Sequence, residues 1–208
     1  MSIEHWFAFV VASSVLLIIP GPTILTVMSY SLSHGRRAQI PLIAAVALGD
    51  TTALILSLAG LGALLATSAW LFIVVKWVGG LYLIYLGIKL IRTPSLVVDN
   101  ESPGKLVSGW TLFANTWLVT ALNPKGIIFF VAFLPQFVNP AGKISTQLWT
   151  LSVTFVMLAT LNALLYALFA EQARSVLSSP RAQRRFNIGG GTLLTIAGGW
   201  ALTARQTA

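Results

Sequence analysis

Six apolar runs, separated by short polar stretches, make up most of this chain: residues 6–28, 41–66, 69–91, 110–138, 147–170 and 188–204. Each is near the roughly 20 residues a helix needs to cross a bilayer. Lipid offers no hydrogen-bond partners, so such runs must satisfy their own backbone groups, and helices do so within one segment. The expected fold is therefore all-α and integral to the membrane, with six transmembrane helices in a single domain over residues 1–208. Composition agrees. Only 9% of residues are charged and 56% are hydrophobic, whereas a soluble domain carries about 25% charge.

The absence of cysteine excludes disulfides, thiolate metal sites and thiol chemistry. No cofactor is implied. A net charge of +8 is the sort of value that suggests nucleic acid, but the basic residues fall in short loops beside apolar spans, where they set orientation. Nine lie on one side: Arg36, Arg37, Lys89, Arg92, Lys105, Arg174, Arg181, Arg184 and Arg185. Three lie on the other, Lys76, Lys143 and Arg205, and Lys125 sits within a span. Loops 1, 3 and 5 are thus expected inside and both termini outside. Lys76, between Trp70 and Trp77, is expected to snorkel to the outer interface. Arg181, Arg184 and Arg185 are read as a short surface helix after Ser178-Ser179-Pro180. No basic residue precedes the first span, so no cleaved leader is expected.

The first span is interrupted two-thirds of the way along, at Pro20-Gly21-Pro22-Thr23. Each proline removes a backbone donor. A broken helix is tolerated in lipid only where it faces protein or a wet cavity, so the break marks an interior surface. A helix restarting at Pro22 points free N–H groups and a positive dipole end into that surface, which suits a carboxylate. A packing kink is the plain alternative; two prolines around a glycine favour a site.

A second break matches the first. Trp6 precedes Pro20 by fourteen residues, and Trp110 precedes Pro124 of Asn123-Pro124-Lys125 by fourteen. Asp50 in span 2 corresponds to the neighbourhood of Asn162 in span 5. The chain then divides into repeat 1 (about 5–92), a polar linker (about 93–109) with Asp99 and Glu101, and repeat 2 (about 110–205). An odd number of spans per half inverts one repeat relative to the other, the plan of many secondary transporters. Glycines in spans 3 and 6 (Gly79, Gly80, Gly87; Gly189 to Gly191, Gly198, Gly199) read as close helix contacts. These small-residue faces are also compatible with a homodimer.

Asp50 is the only acidic residue deep in a span. By helical rise it lies roughly 13 Å from the cytoplasmic end, and the first break roughly 12 Å from the same side. An ionisable group at such depth is by default a functional candidate, here as a proton carrier. Lys125 is the only mid-span cation; it either holds a substrate carboxylate or neutralises Asp50. Asn123 and Asn162 are candidate uncharged ligands. Phe129, Phe130, Phe133 and Phe137 read as lipid-facing or packing residues.

Several motifs together carry a resemblance. They are Pro20-Gly21-Pro22, Gly49-Asp50, the run from Gly80 to Lys89 closing span 3, Asn123-Pro124-Lys125, Phe129-Phe130, and Phe133-Leu134-Pro135-Gln136-Phe137. In order, spacing and total length the chain resembles the lysine exporter/homoserine–threonine efflux (LysE/RhtB) family. The resemblance implies a bacterial inner-membrane exporter of amino acids or related small metabolites, driven by proton exchange. Its motifs are family-wide and select no one substrate.

The substrate-site candidates are thus Pro20, Gly21, Pro22, Thr23, Asn123, Pro124, Lys125 and Asn162, with Asp50 for proton coupling. The partners expected are a small molecule, protons and the bilayer, with no nucleic acid. Two other classes compete. A membrane hydrolase would have to use a Ser–Lys pair through Lys125, because His5 and His34 lie outside the spans. A metal-ion exporter would lack the cysteine and histidine ligands that a borderline metal prefers.

Overall fold

Each proline cluster ends one helix and starts the next. In the computed structural model, which describes residues 1–67, 69–92, 107–139, 142–173 and 179–203, α1 (Ile3–Ile18) stops before Pro20 and α2 (Pro22–His34) restarts with its proline in the first turn. The two helices are bent by 55°. A proline at the first helical position gives up an N–H that no helix could have used.

Gly35 alone joins α2 to α3 (Arg36–Thr67). Its φ of 59° and ψ of −146° put it in a region that only glycine enters readily. We expect Gly35→Ala to cost about 1–3 kcal/mol, read as a lower Tm of the purified protein; an unchanged Tm would show that the turn relaxes freely. The helix starts five residues before the expected span at 41 and passes through Pro41. That proline lies in the second turn, near the polar end, where water can serve the carbonyl it leaves unpaired.

The next helix, α4 (Ala69–Arg92), closes the first half. α5 (Gly109–Ala121) is capped by Ser108, whose Oγ accepts from the Thr111 N–H. The second break follows, then α6 (Pro124–Ile128), a π-helical turn at Phe129–Phe133 and a 3-10 turn at Leu134–Phe137. Pro135 explains the loosened end: it has no N–H to continue an α-helix, and the Leu134 N–H instead reaches the Phe129 carbonyl. α7 (Ile144–Leu168) and α8 (Pro180–Thr203) complete the chain.

The described residues contain helices and no strand. Among the described residues, three stretches are long and apolar enough to cross a membrane, Arg36–Gly60, Gly109–Phe137 and Ile144–Leu168, and the bent pair α1–α2 makes a fourth. One expectation is corrected. Arg181, Arg184 and Arg185 are not on a separate surface helix but on the exposed first turns of α8, because Pro180 is well suited to begin that helix. The linker over 93–106, Arg174 and the side chain of Lys76 lie outside the described residues.

The interior has two apolar clusters. One joins Phe9 of α1 to Phe129, Phe130, Phe133 and Phe137 and to Phe155 of α7. Phe130 meets Phe155 edge-on at 4.7 Å and Phe129 lies 4.9 Å from Phe133, in geometries that add about 0.5–1.5 kcal/mol per pair beyond burial. So these rings pack inside and do not face lipid. The other cluster joins Val27 and Met28 of α2 to Leu42 and Val46 of α3, Leu112 of α5 and Ala163 of α7. The glycine expectation holds in part. A Cβ on Gly191 would come within 2.5 Å of the Gly87 carbonyl, whereas one on Gly189 or Gly199 would meet nothing within 4 Å.

Candidate functional site

The first break leaves the last turn of α1 short of donors. In an unbroken helix the Leu16 and Ile18 carbonyls would accept from residues 20 and 22, which are prolines. Left bare in lipid, each carbonyl would cost several kcal/mol. The second half of the chain supplies the donors. Lys125 Nζ donates to Leu16 at 2.5 Å and to Ile19 at 2.7 Å. Asn162 Nδ2 donates to Leu17 at 3.1 Å, and the Tyr166 hydroxyl donates to Ile18 at 2.7 Å. Four consecutive carbonyls are therefore held by three side chains from α6 and α7. A cation at a helix C-terminus is also favoured by the helix dipole.

Asn123 ties the two breaks together. Its Oδ1 caps α6 by accepting from the Lys125 N–H at 3.1 Å. Its Nδ2 donates to the Thr23 hydroxyl at 3.1 Å, and Thr23 is buried in the first turn of α2. Gly21, the N-cap of α2, offers no side chain to that helix start. The positive end of α2 and the negative end of α1 thus lie within three residues of each other, with the second break against both.

Asp50 completes the site from α3. It is 9% exposed and lines one small cavity with Gly21, Thr23, Asn123, Lys125 and Asn162. Among the described residues, no hydrogen bond or ion pair within 4 Å reaches its carboxyl group, although it lies within the electrostatic reach of Lys125. The cavity volume is about 40 Å³, room for a few waters at the ~10–15 Å³ of accessible volume that one water needs. Phe155 and Ala159 of the aromatic cluster and Ile24 and Val46 of the second cluster also line it.

Of the sequence-derived candidates, Gly21, Thr23, Asp50, Asn123, Lys125 and Asn162 line this one cavity. Pro20, Pro22 and Pro124 act by breaking the helices that carry them. Two details differ from the reading of the sequence. Lys125 donates to backbone carbonyls rather than pairing with Asp50. Tyr166 was not anticipated; its position four residues after Asn162, hence on the same helical face, was the available signal. Among the described residues, no group of three His, Asp or Glu side chains is placed to hold a metal.

Comparison with known proteins adds independent evidence. Residues 14–205 match the family model described as LysE type translocator. A homoserine/homoserine lactone efflux protein of Salmonella typhimurium is 31% identical over 206 residues, which is 99% of this chain and 100% of that protein. An uncharacterized membrane protein of Vibrio cholerae is 31% identical over 187 residues, 90% of this chain and 91% of the relative. A leucine efflux protein of Enterobacter is 28% identical over 156 residues, 75% and 71% of the two chains. No solved structure matches the chain.

Proposed function

The chain belongs to the LysE type translocator family, and on that premise we propose that it exports amino acids or close derivatives across the bacterial inner membrane in exchange for protons. It is a multi-pass membrane transporter, not an enzyme. The observation that carries the proposal is the meeting of two broken helices around one small cavity with an acid that, among the described residues, has no hydrogen-bond or ion-pair partner. Proton-coupled transport needs a site inside the membrane and a group that can exchange a proton there.

In this reading the two halves are inverted repeats. Each opens on a helix severed at a proline, continues into a long span, and ends on a helix that packs against its counterpart, α4 against α8. The excess of basic residues in loops 1, 3 and 5 supports both termini outside. Substrate enters the chamber from the cytoplasm as Asp50 gives up a proton. It leaves outward as Asp50 takes one up. The names of the relatives bear on the substrate. Homoserine and its lactone share an amino group, while only the first has a free carboxylate, and leucine shares the amino group too. A site for an amino group is what these cargoes have in common. Engagement of Lys125 by two carbonyls leaves the Ser–Lys hydrolase without support.

The test is efflux from proteoliposomes loaded with mixed radiolabelled amino acids, on acidifying the outer medium. At least one should leave faster than from protein-free vesicles, at a rate that rises with the pH gradient. Correctly folded protein that moves none of them would refute the export reading. Efflux indifferent to the gradient would refute proton exchange alone.

A further inference from the structure

A primary ammonium already occupies the end of α1. Lys125 Nζ sits on the Leu16 and Ile19 carbonyls at 2.5 and 2.7 Å. An ammonium carries three N–H donors, and the helix end that receives it carries partial negative charge. The chamber beside it, about 40 Å³, has no room for an amino acid until something withdraws. Lys125 is the part best able to withdraw. It has a flexible four-carbon stem, and that stem lies along Gly21, where even an added Cβ would approach its Cδ only to 3.6 Å. A destination lies across the same chamber: Asp50 is nine-tenths buried, with no hydrogen bond or ion pair among the described residues. A buried acid in that position is favoured to ionise when a cation arrives beside it.

We propose that the Leu16 and Ile19 carbonyls are the seat of the substrate's ammonium group, that Lys125 fills this seat in the empty protein, and that loading sends Lys125 across to Asp50. This rests on the exporter reading above and specifies how the site takes its cargo. The cargo lies across the break, its ammonium on the carbonyl end of α1 and any carboxylate at the Gly21–Thr23 start of α2, so that both helix dipoles are matched. A protonated Asp50 that receives the Lys125 ammonium releases its proton to the cytoplasmic water, becoming the carboxylate of an ion pair. When the cargo leaves, Lys125 returns to the carbonyls and Asp50 takes a proton from outside. Loading and proton release are then one event.

The experiment uses the full chain in lipid nanodiscs and in proteoliposomes. Lys125→Ala vacates the seat. Methylammonium at tens of millimolar should raise the Tm of this variant by several degrees and leave the wild type unchanged. Tetramethylammonium, which has no N–H, should do nothing to either. Equal shifts by both cations, or no shift in the variant, overturn the proposal. The second arm needs no substitution and stands even if the variant fails to fold. Wild-type protein should exchange an amino acid it exports in the assay above about tenfold or more faster than the matching 2-hydroxy acid, which has a hydroxyl in place of the ammonium. Equal exchange of the two sinks the ammonium seat and leaves the exporter reading standing. A wild-type protein that carries no amino acid at all sinks the exporter reading itself.

Discussion

Asp50→Asn abolishes export driven by a pH gradient while leaving the protein folded. Asparagine keeps the size of the side chain and its polarity but cannot bind and release a proton. If Asp50 carries the coupled proton, gradient-driven efflux from proteoliposomes falls at least about 100-fold, close to 2.7 kcal/mol of barrier. Exchange of labelled for unlabelled substrate at equal pH needs no net proton movement; it is also slowed, because asparagine offers the displaced Lys125 no carboxylate. Stability gives a third reading. Asp50 is buried and lacks a hydrogen-bond or ion-pair partner among the described residues, so a neutral isostere removes a desolvated acid rather than a bond. The Tm of the variant should therefore match or exceed that of the wild type. Unchanged gradient-driven efflux would remove Asp50 from the coupling, and a collapse of Tm would recast it as a structural residue.

What the sequence made legible follows from the physics of lipid. Breaks in apolar runs are visible because prolines are few and each removes a donor, so Pro20, Pro22 and Pro124 located both severed helices. Asp50 and Lys125 were visible because a charge in a span has no trivial explanation. The buried face of each helix was not visible. In water a polar face contrasts with an apolar one, but in a membrane both faces are apolar and periodicity is silent. Phe7 is 61% exposed and Phe9 not at all, yet nothing in their neighbourhood distinguishes them. On α7 the inward stripe is Ala159, Ala163 and Ala167, while Leu161, Leu165 and Leu168 face out. That is the reverse of a soluble core, because small residues let membrane helices approach. The partner of Lys125 was also hidden. Charge suggested Asp50, but the carbonyls orphaned by Pro20 and Pro22 are nearer claimants, and orphaned carbonyls do not appear in a sequence as charges do.

Gly191→Ala and Gly189→Ala, two residues apart on α8, should behave in opposite ways. A Cβ on Gly191 would come within 2.5 Å of the Gly87 carbonyl of α4 and 2.6 Å of Ile91 Cγ1. Neither can yield easily: the first is backbone, and the second is a γ-carbon close to its own main chain, whose Ile91 N lies 3.2 Å from the same point. On the other side of the contact, a Cβ on Gly87 would clash with Thr195 Oγ1 and the Gly191 carbonyl. The helices thus meet backbone to backbone, and one methyl group must push them apart along the contact that joins the end of the first half to the end of the second. Overpacking of this kind costs about 1–3 kcal/mol in well-packed cores. Here the resisting atoms are main chain, so the upper end, about 3 kcal/mol, is expected. At Gly189 an added Cβ meets nothing within 4 Å, and alanine is the better helix former by up to about 1 kcal/mol. Thermal unfolding of the two variants in the same detergent should show a drop of several degrees for Gly191→Ala and no loss for Gly189→Ala. Export should follow the same order if, as proposed above, the two halves move against each other across this contact. Equal behaviour of the pair would mean that α4 and α8 do not meet at Gly87 and Gly191, and the packing of the two halves would have to be redrawn.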